Sequence, residues 1–65
     1  MKICINGKPR VTSASTIEKL LAELNLLPAQ IAVEHNGTVL FRQELAQTSV
    51  CDGDKIEIVR VVAGG

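Results

Sequence analysis

The sequence predicts an α+β domain: a mixed sheet of four to five strands with one main helix packed on one face. Three observations carry that expectation. Short runs of alternating apolar and polar residues stand before and after a single stretch with helical spacing. Two Asn-Gly pairs, Asn6-Gly7 and Asn36-Gly37, lie between such runs and favour hairpin turns, whose two central residues need positive φ. And 65 residues, 21 of them Ile, Val, Leu or Phe, furnish one small core and no second. Residues 1–65 therefore read as one domain with a flexible C-terminal tail at 62–65.

The first strand is Met1 to Asn6, with Ile3 and Ile5 on one side and Lys2, Cys4 and Asn6 on the other. Lys8 to Thr12 returns after the turn, and Pro9, lacking an N–H, suits an edge position. Ser15-Thr16-Ile17-Glu18 reads as a capping box in which the Ser15 hydroxyl accepts from the Glu18 N–H. Ile17, Leu20, Leu21 and Leu24 follow as one apolar helical stripe. Asn25 can take the left-handed conformation that ends a helix, and Pro28 blocks its resumption. Ile31 to His35 alternates with Ile31 and Val33 inward, and Val39-Leu40 forms the returning strand. Arg42 to Gln47 suits one helical turn, and Asp52-Gly53-Asp54 a tight turn. Lys55 to Val62 is the last strand, with Ile56 and Ile58 on one face and Glu57, Val59 and Val61 on the other. The expected core is Ile3, Ile5, Ile17, Leu20, Leu21, Leu24, Val33, Leu40, Val50, Ile56 and Ile58. If the first and last strands are neighbours, they run parallel. The single helix leaves the opposite sheet face open, with Cys4 and Val59 on it.

Composition excludes several functions. Seven Lys+Arg balance seven Asp+Glu, so there is no cationic surplus for phosphates. One Phe, with no Trp or Tyr, builds no stacking platform for bases. Two Cys 47 positions apart make neither a disulfide framework nor a metal site. The N-terminus turns polar after five residues, unlike a signal peptide or a membrane span, so the expected location is cytoplasmic. No nucleic acid and no membrane is expected as a partner.

No catalytic constellation is visible, and no enzyme activity or metal is expected. His35 is the only histidine and reads as a solvated strand residue rather than a general base. Cys4 and Cys51 read as small sheet and turn residues, with only Lys2 as a nearby cation for Cys4. Asp52 and Asp54 are too few ligands for a calcium cage. What remains is Gly64-Gly65. Lacking Cβ atoms, these residues can enter a narrow channel close to another protein's backbone. A terminal carboxylate there would be the one reactive group at the tip of an arm. It becomes an electrophile only when its oxygen is made a good leaving group, for example by adenylylation. The chain has no nucleotide-binding motif, so it binds no cofactor itself, and a partner must consume the ATP.

An N-terminal hairpin, one helix, an Asp-Gly-Asp turn, a final strand and Gly-Gly together resemble the ubiquitin-like β-grasp sulfur carriers. Within these the likeness is to the ThiS family of thiamine thiazole biosynthesis. It rests on Ile3-Cys4-Ile5-Asn6-Gly7, on Thr16-Ile17 leading to Leu20-Leu21, and on Ala32-Val33, Asn36-Gly37 and Arg42. Asp52-Gly53-Asp54 and Val61-Val62-Ala63-Gly64-Gly65 complete it, so the resemblance spans the chain. It differs at Phe41, where the family often has Pro, and at Glu44, near which it often has an aromatic. The resemblance implies that a ThiF-like, ATP-dependent adenylyltransferase activates the Gly65 carboxylate. A sulfur donor system then converts the adenylate to a thiocarboxylate, whose sulfur goes to a ThiG-like thiazole synthase. The chain would be a carrier and co-substrate. Its tail would be Ala63-Gly64-Gly65, and its docking surface Cys4, Val59, Arg60, Val61 and Val62, with Arg60 at the rim. A molybdopterin synthase small subunit shares the same tail chemistry. A ubiquitin-like modifier would join Gly65 to lysines of targets, and a β-grasp RNA-binding module would carry the tail incidentally.

Overall fold

Each hairpin turn is settled by two residues. In the computed structural model, which describes residues 1–61, β1 (Lys2–Ile5) and β2 (Lys8–Val11) flank Asn6-Gly7. Likewise β3 (Ile31–His35) and β4 (Thr38–Leu40) flank Asn36-Gly37. The central φ angles are 50° and 81° at Asn6 and Gly7, and 49° and 88° at Asn36 and Gly37. Positive φ at both positions matches the twist of the flanking strands. The fifth strand, β5 (Lys55–Arg60), lies between the two hairpins in the order β2-β1-β5-β3-β4. It runs parallel to β1 and antiparallel to β3. The sheet is therefore mixed and five-stranded, and Pro9 sits on its edge strand β2. Val61 still donates its N–H to the Gln30 carbonyl at 2.9 Å. Expectations placed on residues 62–65, including the end of the last strand at Val62 and the tail, lie outside the described residues.

The helix α1 (Ile17–Glu23) crosses the face of the sheet that carries Ile3 and Ile56. Its start differs from expectation by one residue. Thr16, not Ser15, is the cap, and its hydroxyl accepts from Lys19 N at 3.2 Å. The reason is competition: the N–H of Glu18 donates to Leu45 O at 3.0 Å and that of Ile17 to Thr48 O at 3.0 Å. Backbone carbonyls of the 45–48 segment thus satisfy donors that a Ser15 box would otherwise need to take. At the other end Asn25 has φ 58°, Leu26 N donates to Leu21 O and Asn25 N to Ala22 O. That pair of bonds is the Schellman stop.

Between helix and sheet, Ile3, Ile17, Leu20, Leu21, Val33, Val50 and Ile56 are buried as expected. Ile5, Leu24, Leu40 and Ile58 are only partly buried, because they lie where the seven-residue helix stops covering the sheet. Ala14 and Leu45 join the core unannounced. Leu45 follows a 3-10 turn at Arg42–Glu44, shorter than the expected Arg42 to Gln47 helix. Edge strand β2 is tied to the helix through Glu23. Arg10 donates to Glu23 Oε2 from Nε (3.1 Å) and from a terminal guanidinium nitrogen (3.0 Å), and the Thr12 hydroxyl donates to Oε1 (2.9 Å). The Arg10 bonds, then the Thr12 bond, hold the Glu23 carboxyl below its ordinary range. No helix among the described residues is long and apolar enough to cross a membrane.

Candidate functional site

The site is organised by β5, because the middle strand of the sheet is the one that leads to residues 62–65. Strand parity divides its residues. Ile56 and Ile58 face the helix, with Ile56 buried and Ile58 packed against the core. Lys55, Glu57 and Val59 face the open side. There Val59 lies opposite Ala32, and Glu57 opposite Glu34, which in turn pairs with Val39 on β4. The result is a shallow hollow of about 80 Å³ lined by Ala32, Val33, Glu34, Val39, Glu57 and Val59. Val39, Val59 and Val61 are 59%, 61% and 54% exposed. Val39 and Val59 both line the hollow, so two exposed apolar side chains are grouped on the open face.

Two expectations about this surface need correction. Cys4 shares the open face with Val59 but does not adjoin it. Its partner across the sheet is Lys55, four residues and about 13 Å back along the strand. Arg60 is not on the rim of the valine patch. It lies opposite Ile31 on the helix side, and lines a separate hollow of about 290 Å³ with Ile5, Asn6, Leu24, Leu26, Ile31 and Ile58. Strand alternation alone requires this, since Arg60 shares parity with Ile56 and Ile58. Val62, Ala63, Gly64 and Gly65 lie outside the described residues. Val39, Ala32, Glu34 and Glu57 were missed. Val39 could have been found from its alternation with the inward Leu40, the rest only from the register of β3 on β5.

The entry to β5 holds a partly buried polar cluster. Asp54 is buried, and its Oδ2 accepts from Cys51 N at 2.8 Å and from His35 Nε2 at 2.8 Å. Its Oδ1 accepts from Asn36 Nδ2 at 3.0 Å. Burial pushes the carboxyl upward, but the Cys51, Asn36 and His35 bonds and the His35 charge together hold it below its ordinary value. His35 is thus not the solvated residue expected. Its side chain is 20% exposed and joins β3 to the turn before β5. Asp52 is likewise more than a turn residue, since its Oδ1 accepts from Lys2 N at 2.7 Å. Gly53, with φ 88°, donates to Lys2 O, and Cys4 N donates to Asp54 O. These bonds start the parallel pairing of β5 with β1. Both thiols are free, and no group of three or more potential metal ligands is assembled among the described residues.

Both Asn-Gly turns also grip β5. Lys55 N donates to Asn36 Oδ1 at 2.8 Å, and Asn36 N donates to Lys55 O at 2.8 Å. On the other side, Ile58 N donates to Asn6 Oδ1 at 2.8 Å, and Asn6 Nδ2 donates to Ile58 O at 3.1 Å.

Comparison with known proteins agrees with this architecture. The ThiS family model matches residues 3–65. A protein named thiazole synthase from Paramagnetospirillum magneticum is 47% identical over 66 aligned residues, which cover all of this chain and 20% of that protein. The chain therefore spans one fifth of that relative's length. The sulfur carrier protein ThiS of Escherichia coli is 35% identical, with both chains covered in full. The crystal structure of the thiamine biosynthesis protein ThiS from Geobacter metallireducens superposes with a TM-score of 0.85 at 35% identity, again covering both chains in full. The fold is the ubiquitin-like β-grasp.

Proposed function

Since the chain belongs to the ThiS family, we propose that it is a sulfur carrier of thiamine thiazole biosynthesis acting through the carboxylate of Gly65. A carboxylate oxygen of Gly65 attacks the α-phosphorus of ATP on a ThiF-like adenylyltransferase, and pyrophosphate leaves. Hydrosulfide, supplied by a sulfur donor system, attacks the acyl carbon, AMP leaves, and a thiocarboxylate remains. Its soft, nucleophilic sulfur is then passed to a ThiG-like thiazole synthase in the cytoplasm. The protein itself supplies no catalytic group. It supplies a rigid sheet whose middle strand presents the reactive end.

One observation carries this reading: the family likeness runs through Gly64 and Gly65, and β5 leads from the sheet centre toward them. The matching thiazole synthases, which contain a counterpart of this chain, favour a synthase as the acceptor of the sulfur. The exposed Val39, Val59 and Val61 supply the docking surface for the activating enzyme. The test is ATP–pyrophosphate exchange with a ThiF-like adenylyltransferase, followed by intact-mass measurement. The parent chain should stimulate exchange and gain the mass of one oxygen replaced by sulfur. Deleting Gly65 should leave stability unchanged and abolish exchange, because the carboxylate then stops about 3.5 Å short. Normal exchange and sulfur loading without Gly65 would overturn the proposal. Covalent ladders on other proteins would point to a modifier instead.

A further inference from the structure

Parallel pairing between β1 and β5 is short. Its Cα partners are Cys4 with Lys55 and Ile5 with Ile56, and its last backbone bond runs from Asn6 N to Ile56 O at 2.9 Å. The chain then turns back at Asn6-Gly7. From Glu57 onward β5 keeps backbone pairing only on its β3 side, where the ladder continues to Ile31 opposite Arg60. Its other edge would be open at the stretch that leads to residues 62–65. The Asn6 carboxamide closes that edge. Its oxygen accepts from Ile58 N–H and its nitrogen donates to Ile58 C=O, so one side chain imitates the next residue of an absent strand.

We infer that Asn6 is a positioning residue for the chemistry at Gly65: its clamp on Ile58 fixes the register and direction in which β5 leaves the sheet. The inference rests on the carrier reading. Few residues could serve. The position has φ 50°, which Asn tolerates and most side chains do not. The clamp needs a donor and an acceptor at the reach of one methylene, whereas Asp has no donor when ionised, Gln is longer, and Gly has neither. Register matters here because a slip of one residue would exchange Val59 and Val61 with Arg60 between the two faces. A loosened β5 would also spread the positions from which the carboxylate approaches ATP, and small misplacements of reacting groups are costly in rate. At the Lys55 end Asn36 makes the same kind of clamp, but there the Asp54 cluster reinforces it. At the Ile58 end Asn6 is the only side chain bonded to the β5 backbone among the described residues.

The test uses Asn6→Gly, which keeps the positive φ of the turn and deletes the carboxamide. Ile17→Val, a mild change in the buried core far from β5's exit, serves as the stability control. Amide exchange of the free protein should show protection at Ile58 falling at least tenfold more than at Leu20 in Asn6→Gly. In Ile17→Val the two amides should fall together. In pyrophosphate exchange with the adenylyltransferase that the parent stimulates, Asn6→Gly should lower kcat about tenfold and change KM less than threefold. KM should hold because β3 and β4 still support the valine patch. Ile17→Val should leave kcat at the parent value. If Asn6→Gly matches the parent's kcat, or Ile17→Val loses as much, the role of Asn6 falls and the carrier reading stands. If the parent itself supports no exchange, the carrier reading falls.

Discussion

The two ends of β5 are built to different standards. At Lys55 the strand enters between β1 and β3, beneath a buried carboxylate with three donors, two from His35-Asn36 at the end of β3 and one from Cys51 just before β5. At Arg60 it is held by β3 on one side and by a single asparagine upstream on the other. The entry is polar, with the Asp54 carboxylate buried at its centre. The exit carries Val59 and Val61, which are more than half exposed among the described residues. The entry fixes the strand, while the exit offers the face on which the proposed docking would take place. Fewer fixed contacts at the end beside a partner site are what local stability patterns lead one to expect.

The largest effect that should follow is at the entry. Asp54→Ala removes a carboxylate that accepts three partly buried hydrogen bonds, from His35, Asn36 and Cys51, at a cost of about 1–3 kcal/mol. The urea midpoint should fall accordingly, while pyrophosphate exchange by the folded fraction should keep the parent kcat. A large change in kcat would dissolve the distinction between the two ends.

Acid offers a gentler probe of the same cluster. The folded Asp54 carboxyl titrates below its ordinary value, so the unfolded chain takes up the proton first. The stabilisation is whole above the unfolded value of about 4 and is lost as pH falls through the folded one. Glu23, lowered by Arg10 and Thr12, acts with the same sign. The urea midpoint of the parent should therefore drop below about pH 4, and Asp54→Asn should show a smaller drop from a lower start. An equal drop in the variant would remove Asp54 as a source of acid sensitivity.

At the exit the expectation reverses. Val59→Asp should shift stability by no more than about 0.5 kcal/mol, since the side chain is exposed. It should weaken adenylyltransferase binding about tenfold by calorimetric titration. Unchanged affinity would take the valine patch out of the docking surface. The smallest effect concerns Glu57, which faces Glu34 directly across the sheet. Like charges in such pairs repel, so Glu57→Gln should raise stability by about 0.2–1 kcal/mol at low salt, and by less as salt screens the pair. A loss of stability would show that the two carboxylates do not confront each other in solution.

What was legible in the sequence was whatever neighbours in the chain decide. The Ile17-Leu20-Leu21-Leu24 stripe, the two Asn-Gly turns and the Asn25 stop were all readable, because each depends on residues within a few positions. The parity of β5 was readable too, and carried one residue further it would have taken Arg60 off the rim of the open face and onto the helix side. What escaped needed a partner far away. The Leu45 carbonyl displaces the Ser15 cap from 27 residues downstream. Asp54 recruits His35 across 19 residues, and Asn6 reaches Ile58 across 52. Leu45 itself belongs to a segment without periodicity, where nothing local marks one residue as buried. At the site, the family resemblance pointed to Gly65 and parity pointed to Val59 and Val61. The register of β3 on β5, which adds Ala32, Glu34 and Val39, became visible only in three dimensions.

Among the described residues, the strand at the centre of the sheet is the last of the five to emerge from the ribosome. Until it arrives, β1–β2 and β3–β4 are two separate hairpins with no shared edge, and a lone hairpin is barely stable in water. The seam joining them pairs residue 4 with 55 and residue 31 with 60, so its closure spans most of the chain and should be slow for a domain of this size. A nascent chain that stops short of β5 lacks both the seam and Val59, so on the proposed carrier role it offers an activating enzyme no finished docking face.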